Sequence, residues 1–68
     1  MKDYKKLLVR LRAKLNISQE KLAILLNVSF ATINRWENGV SEPSRVHMVQ
    51  IEELCKKYKV QKKVYRWI

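Results

Sequence analysis

The residues best suited to chemistry lie together at 29–38, Ser-Phe-Ala-Thr-Ile-Asn-Arg-Trp-Glu-Asn. Laid on a helix at about 100° per residue, Ile33 and Trp36 take one side as its large apolar residues. The opposite side then carries Ala31, Asn34, Arg35 and Asn38, with Phe30 and Thr32 on the flanks. An outward arginine can donate two hydrogen bonds to guanine O6 and N7, an asparagine can pair with adenine N6 and N7, and Ala or Thr can touch a thymine methyl. No acid opens this helix, so its positive N-terminus is free to approach phosphate.

Other constellations are thinner. His47 is a lone histidine near an expected helix start, and Cys55 falls on an apolar stripe where cysteine behaves as a small hydrophobe. A nucleophile needs a base beside it, and the sequence shows none. Paired carboxylates, a nucleophile–base set and a phosphate loop are all missing, which argues against an enzyme. One cysteine can form neither an internal disulfide nor a cysteine zinc site. No metal ligand set and no cofactor are expected.

The positioning elements can be read from periodicity and caps. Residues 3–15 are expected to be helical, with Tyr4, Leu7, Leu8, Leu11 and Leu15 on one face, Asp3 capping and Asn16 ending the helix in a left-handed conformation. Ser18 caps a second helix over about 19–26, whose inward residues are Leu22, Ala23 and Leu26; small Ala23 suits a close helix approach. Asn27 breaks it, Ser29 caps a third helix over about 30–38, and Gly39 stops that one. A break of about three residues forces the second and third helices to cross steeply, as in a helix-turn-helix. After the loop Ser41-Glu42-Pro43, Ser44 caps a fourth helix over about 45–58, with Met48, Ile51, Leu54, Cys55 and Tyr58 on its buried stripe. Residues 59–68 fit a fifth helix, since Val60, Val64, Trp67 and Ile68 have helical spacing, but also a short strand or a tail. The expected fold is all-α: a single domain over 1–68, a compact bundle of four to five short helices with the helix-turn-helix at about 18–38.

Length and charge agree with this. At roughly 100–200 residues per domain, 68 residues make one small domain or part of one. Such a chain buries only about 60% of its unfolded surface, too thin a core for most enzyme clefts. No apolar run nears the roughly 18 residues of a membrane span, and no secretory signal pattern is present; a cytosolic location is expected. The 15 Lys and Arg against 6 Asp and Glu leave a formal charge of +9, which points to a polyanion. Six bases lie in residues 1–15 and six more in 56–68, while 16–55 holds three bases and five acids. The ends therefore supply attraction, and specificity must come from the nearly neutral middle. Each lysine run taken alone also fits a solvated face or frayed tail.

Arg12 through Gly39 resembles the helix-turn-helix core of the lambda-repressor/Cro (XRE-type) family. The matching stretches are Arg12-Ala-Lys-Leu-Asn-Ile-Ser-Gln-Glu-Lys-Leu-Ala23 and Val28-Ser-Phe-Ala-Thr-Ile-Asn-Arg-Trp-Glu-Asn-Gly39. Pro43-Ser44 also fits. The resemblance covers about 28 residues firmly and about 45 loosely. Asn16 and Asn27 stand where the family usually has Gly, the stretch from Pro43 to Met48 is some three residues longer than the commonest pattern, and 59–68 has no counterpart.

The resemblance implies a cytoplasmic, sequence-specific binder of double-stranded DNA that regulates transcription, most simply a homodimeric repressor. Phe30, Ala31, Asn34 and Arg35 would read bases. Arg12, Gln19, Ser29 and Asn38 would hold phosphates, with Gln19 also bracing the recognition helix, and Arg12 would pair with Glu37 to tie the first helix to the third. Blander alternatives stand beside these: Phe30 covering the first helix, Arg35 solvated, Arg12–Glu37 a weak surface pair. Trp36 belongs to the core rather than to a base-stacking surface. Trp67 and Ile68 fit core completion, a dimer contact or a frayed end. The functional alternative is an antitoxin or adaptor that binds a toxin or the transcription machinery through Val64, Tyr65, Trp67 and Ile68.

Overall fold

A computed structural model describes residues 3–60. Among these, four helices and no strand occur: α1 (Tyr4–Leu15), α2 (Gln19–Leu26), α3 (Phe30–Glu37) and α4 (Arg45–Lys57). The question of a fifth helix or tail falls on 61–68, outside the described residues, as do Val64, Tyr65, Trp67 and Ile68.

The starts follow the expected caps. Asp3 Oδ1 accepts from the Lys6 N–H at 3.2 Å, Ser18 Oγ from the Lys21 N–H at 3.1 Å, and Ser29 Oγ from the Thr32 N–H at 3.1 Å. Each satisfies one of the backbone donors that a first turn leaves free. Ser44 departs from this. It stands at the N-cap of α4 but makes no capping bond; its hydroxyl shares a 2.9 Å hydrogen bond with His47 Nδ1. The hydroxyl is turned to the imidazole rather than to a backbone N–H.

The ends share one device. Asn16 (φ 56°), Asn27 (φ 58°), Gly39 (φ 76°) and Lys59 (φ 59°) are left-handed. In each case the next residue's N–H reaches back five positions: Ile17 to Arg12 O (3.1 Å), Val28 to Ala23 O (2.9 Å), Val40 to Arg35 O (2.9 Å) and Val60 to Cys55 O (2.7 Å). These bonds satisfy carbonyls that helix ends orphan. The residue after each turn is apolar, and Ile17, Val28 and Val60 pack against the core.

The core is Leu7, Leu8 and Leu11 of α1, Leu22, Ala23 and Leu26 of α2, Ile33 and Trp36 of α3, and Ile51 and Cys55 of α4. Trp36 is 6% exposed, which places it in the core as expected. α3 packs against both α1 and α2, and α4 closes the bundle against the same two helices. Buried Ala23 lets α2 and α3 approach across their three-residue turn. Tyr4 ties α1 to α4 by donating its hydroxyl to Glu52 Oε2; burial first, then that hydrogen bond, pushes the phenol up to about 12.

One stripe residue corrects the expectation. Tyr58 is 36% exposed, because α4 ends at Lys57 and the chain turns left-handed at Lys59. Val60 is swung onto the core instead. Tyr58 is left beneath the Lys57 ammonium, 5.5 Å from its ring centroid.

Candidate nucleic-acid interface

α3 is pinned from behind and open in front. Ile33, Trp36 and Glu37 are buried, whereas Phe30, Ala31, Arg35 and Asn38 are exposed and Asn34 is half-buried. The Trp36 ring is backed by His47, with centroids 5.3 Å apart and planes tilted by 54°. The outward set is therefore the one the helical projection predicts. Phe30 is 49% exposed and lies outside the buried core.

Behind this face runs a continuous chain of hydrogen bonds. The Arg12 guanidinium donates to Glu37 through Nε (2.8 Å to Oε2) and Nη2 (2.9 Å to Oε1), and through Nη1 to the Ile17 carbonyl at 3.3 Å. Gln19 Nε2 donates to Glu37 Oε1 at 2.8 Å. Asn34 Nδ2 donates to Gln19 Oε1 at 3.3 Å, and Asn38 Nδ2 donates to Asn34 Oδ1 at 3.0 Å. The Arg12–Glu37 pair is thus bidentate and largely buried, with the carboxylate side chain only 5% exposed. That decides against a weak surface pair, since fork-to-fork geometry away from water is the strong form of this contact.

The electrostatics follow from the contacts. Burial pushes the Glu37 carboxyl up, but hydrogen bonds from Arg12 and Gln19 and the adjacent guanidinium charge outweigh it and hold it below its ordinary value. The hydrogen bond to Glu37 raises the Arg12 guanidinium, against the opposing effect of its own burial. Both groups stay ionised across the neutral range.

The expected site residues divide into two sets. Arg12, Gln19, Asn34 and Asn38 are joined with Glu37 in the one network. Three of Arg12's five N–H groups face protein acceptors, which leaves two for any other partner. Phe30, Ala31 and Arg35 stand outside it, on the open face. Ser29 is exposed beside them, and its hydroxyl also shares a 2.8 Å hydrogen bond with Thr32 Oγ1.

Two features escaped sequence reasoning. Gln19 and Glu37 meet across 18 positions of chain, with no local signal. Asn34 and Asn38 lie four apart on one helix face, a spacing that does announce a side-chain pair. Lys5 of α1 is a further neighbour: its stem would lie 3.4 Å from a Cβ built on Gly39, bringing a cation to the end of α3.

Among the described residues no group of three or more His, Cys, Asp or Glu is placed to hold a metal, and no helix is long and apolar enough to cross a membrane. Residues 8–61 match the sequence model of a helix-turn-helix family. No curated protein and no solved structure matches the chain.

Proposed function

The chain belongs to the XRE/lambda-repressor-like helix-turn-helix family, whose members are DNA-binding transcription regulators, and from that premise we propose that it is a sequence-specific repressor that sets α3 in the major groove of double-stranded DNA. The observation that carries the reading is the division of α3. Its inner face is locked into the core by Ile33, Trp36 and Glu37, while Ala31, Asn34 and Arg35 project together beside exposed Phe30.

Arg35 supplies the donor fork for guanine, Asn34 the amide for adenine, and Ala31 and Phe30 the apolar surface for a thymine methyl. Gln19, Ser29, Asn38 and the remaining N–H groups of Arg12 fix the register on phosphates, which positions the helix without reading sequence. The unencumbered N-terminus of α3, with no acid in its first turn, suits a nearby phosphate. The basic ends raise the encounter rate and make binding strongly salt-dependent through counterion release. One module contacts few base pairs. A two-fold homodimer doubles the site and requires a palindrome with half-sites about one helical turn apart. Such a protein works in the cytoplasm, on the nucleoid.

Selection from random DNA duplexes at near-physiological salt, with sequencing of the bound fraction, tests this. An enriched palindrome is expected. A single enriched half-site would retain the groove reading and remove the dimer. Salt-sensitive retention without enrichment would sink the sequence-reading role and move specificity to a protein partner.

A further inference from the structure

The hydrogen-bond chain behind α3 has a direction, and one residue dictates it. A carboxylate carries no proton to give, so whatever faces Glu37 must donate. Arg12 donates to both oxygens, and the Gln19 side chain must therefore turn its nitrogen to Oε1. Its carbonyl oxygen is then the atom left for Asn34, which must answer with nitrogen. The Asn34 oxygen is in turn left for Asn38, whose nitrogen it accepts. Reversing any one amide would set nitrogen against nitrogen or oxygen against oxygen at a junction.

We infer that Glu37 is a positioning residue that fixes, through Gln19, the donor and acceptor pattern Asn34 presents to DNA. The inference rests on the base-reading proposed above. With its links made, Asn34 keeps one free N–H on its nitrogen and one free lone pair on its oxygen. Adenine asks for one donor and one acceptor, at N7 and N6. An untethered asparagine could rotate to present the pair in either order. A tethered one offers a single order in a single place, so ordering precedes binding and need not be supplied by the DNA. Neither Glu37 nor Arg12 needs to touch a base for this. Arg12 keeps the carboxylate ionised and both of its oxygens committed, and the Ile17 carbonyl anchors the guanidinium to the turn before α2.

The test compares the wild-type chain with E37Q and Q19A. E37Q replaces the obligate acceptor with an amide that can face either way. Q19A leaves the Arg12–Glu37 pair intact and cuts the next link. Duplex selection on all three proteins reads base preference, and side-chain amide NMR spectra of the free proteins read the links directly. Both variants are expected to lose about tenfold in preference for adenine over other bases at one position. Both should also shift the Asn34 amide signals without DNA present. A uniform loss of affinity in Q19A, from a missing phosphate contact, would not alter the ratio between bases.

Wild-type preference in both variants overturns the inference, as does an Asn34 amide unmoved in both. Relaxation in Q19A alone would put the orientation in Gln19 itself, and relaxation in E37Q alone would show an effect that does not travel through Gln19; either removes the role assigned to Glu37. Should E37Q fail to fold by circular dichroism, R12Q combined with E37Q replaces it and leaves no unpaired charge. A wild-type chain that enriches no sequence defeats the base-reading premise, and is told apart because failure of the relay alone leaves the wild-type preference standing.

Discussion

α3 and α4 both begin at a serine and end at a left-handed residue, yet they are held in different ways. Ser29 caps α3 through its hydroxyl, Gly39 turns the chain at little cost, and Glu37 ties the helix to α1 and α2. Ser44 spends its hydroxyl on His47, a lysine adopts the left-handed turn, and Val46 and Val49 are exposed along α4. Only Ile51 and Cys55 of α4 are fully buried. The difference teaches that local and tertiary restraints converge on the helix proposed to enter the DNA groove, whereas α4 serves chiefly to close the core behind it.

Breaking the restraint on α3 from the inside has the largest expected effect. Trp36→Ala removes a buried aromatic and should cost about 3–5 kcal/mol, enough to unfold a domain this small. A mutant still helical by circular dichroism, with an unchanged thermal midpoint, would contradict it.

Next comes the ion pair. Arg12→Ala leaves the Glu37 carboxylate without its guanidinium and should cost about 1.5–3 kcal/mol, read by urea denaturation at neutral pH. The pH dependence has a definite sign. The folded-state Glu37 carboxyl titrates below its ordinary value of 4.5. Its contribution is fully present above that value and is lost as pH falls through the lowered one. Wild-type stability should therefore drop in acid, with a shallower drop in Arg12→Ala. Parallel pH profiles would show that the pair is not the source.

On the open face of the same helix, Arg35→Ala should leave stability unchanged while costing about 1–3 kcal/mol on the preferred duplex and relaxing one base position. Selection on the mutant checks this, and an unaltered preference would return Arg35 to the solvent.

The caps sharpen the contrast at smaller scale. Ser29→Ala should cost about 1 kcal/mol. Ser44→Ala should cost less, because no backbone N–H loses its partner. Equal losses in thermal melts would erase the distinction between the two helices. The smallest effect is expected at Lys59. Lys59→Gly relieves a left-handed side chain but adds unfolded-state entropy, for a net gain of about 0.5–1 kcal/mol. A destabilised variant would mean that the lysine holds the turn by some contact of its own.

These residues also show how much was legible beforehand. Asn16, Asn27 and Gly39 announce their turns, because their types tolerate positive φ, and the bounds of α1 to α3 follow within a residue. Lys59 announces nothing, so α4 reads one residue too long and Tyr58 falls on the wrong side. Ser44 has the right type in the right place, but its hydroxyl meets a neighbouring imidazole instead of the backbone, which only the folded rotamers reveal. The outward face of α3 is legible because Ile33 and Trp36 define its opposite. Behind it, the Arg12–Glu37 pair and the bracing by Gln19 come only through the family resemblance, and the link from Gln19 to Glu37, 18 positions apart, carries no signal in the residues themselves. Periodicity reports which way a side chain points, not which distant amide it will meet.

The apolar residue after each left-handed turn bears on where this chain can change length. Ile17, Val28 and Val60 plug their turns into the core, so an added residue would pull a plug out or rotate a helix. Val40 alone is left 69% exposed. The segment from Val40 to Glu42 is thus the seam at which insertions can accumulate without disturbing α2 and α3, because lengthening an exposed loop costs little.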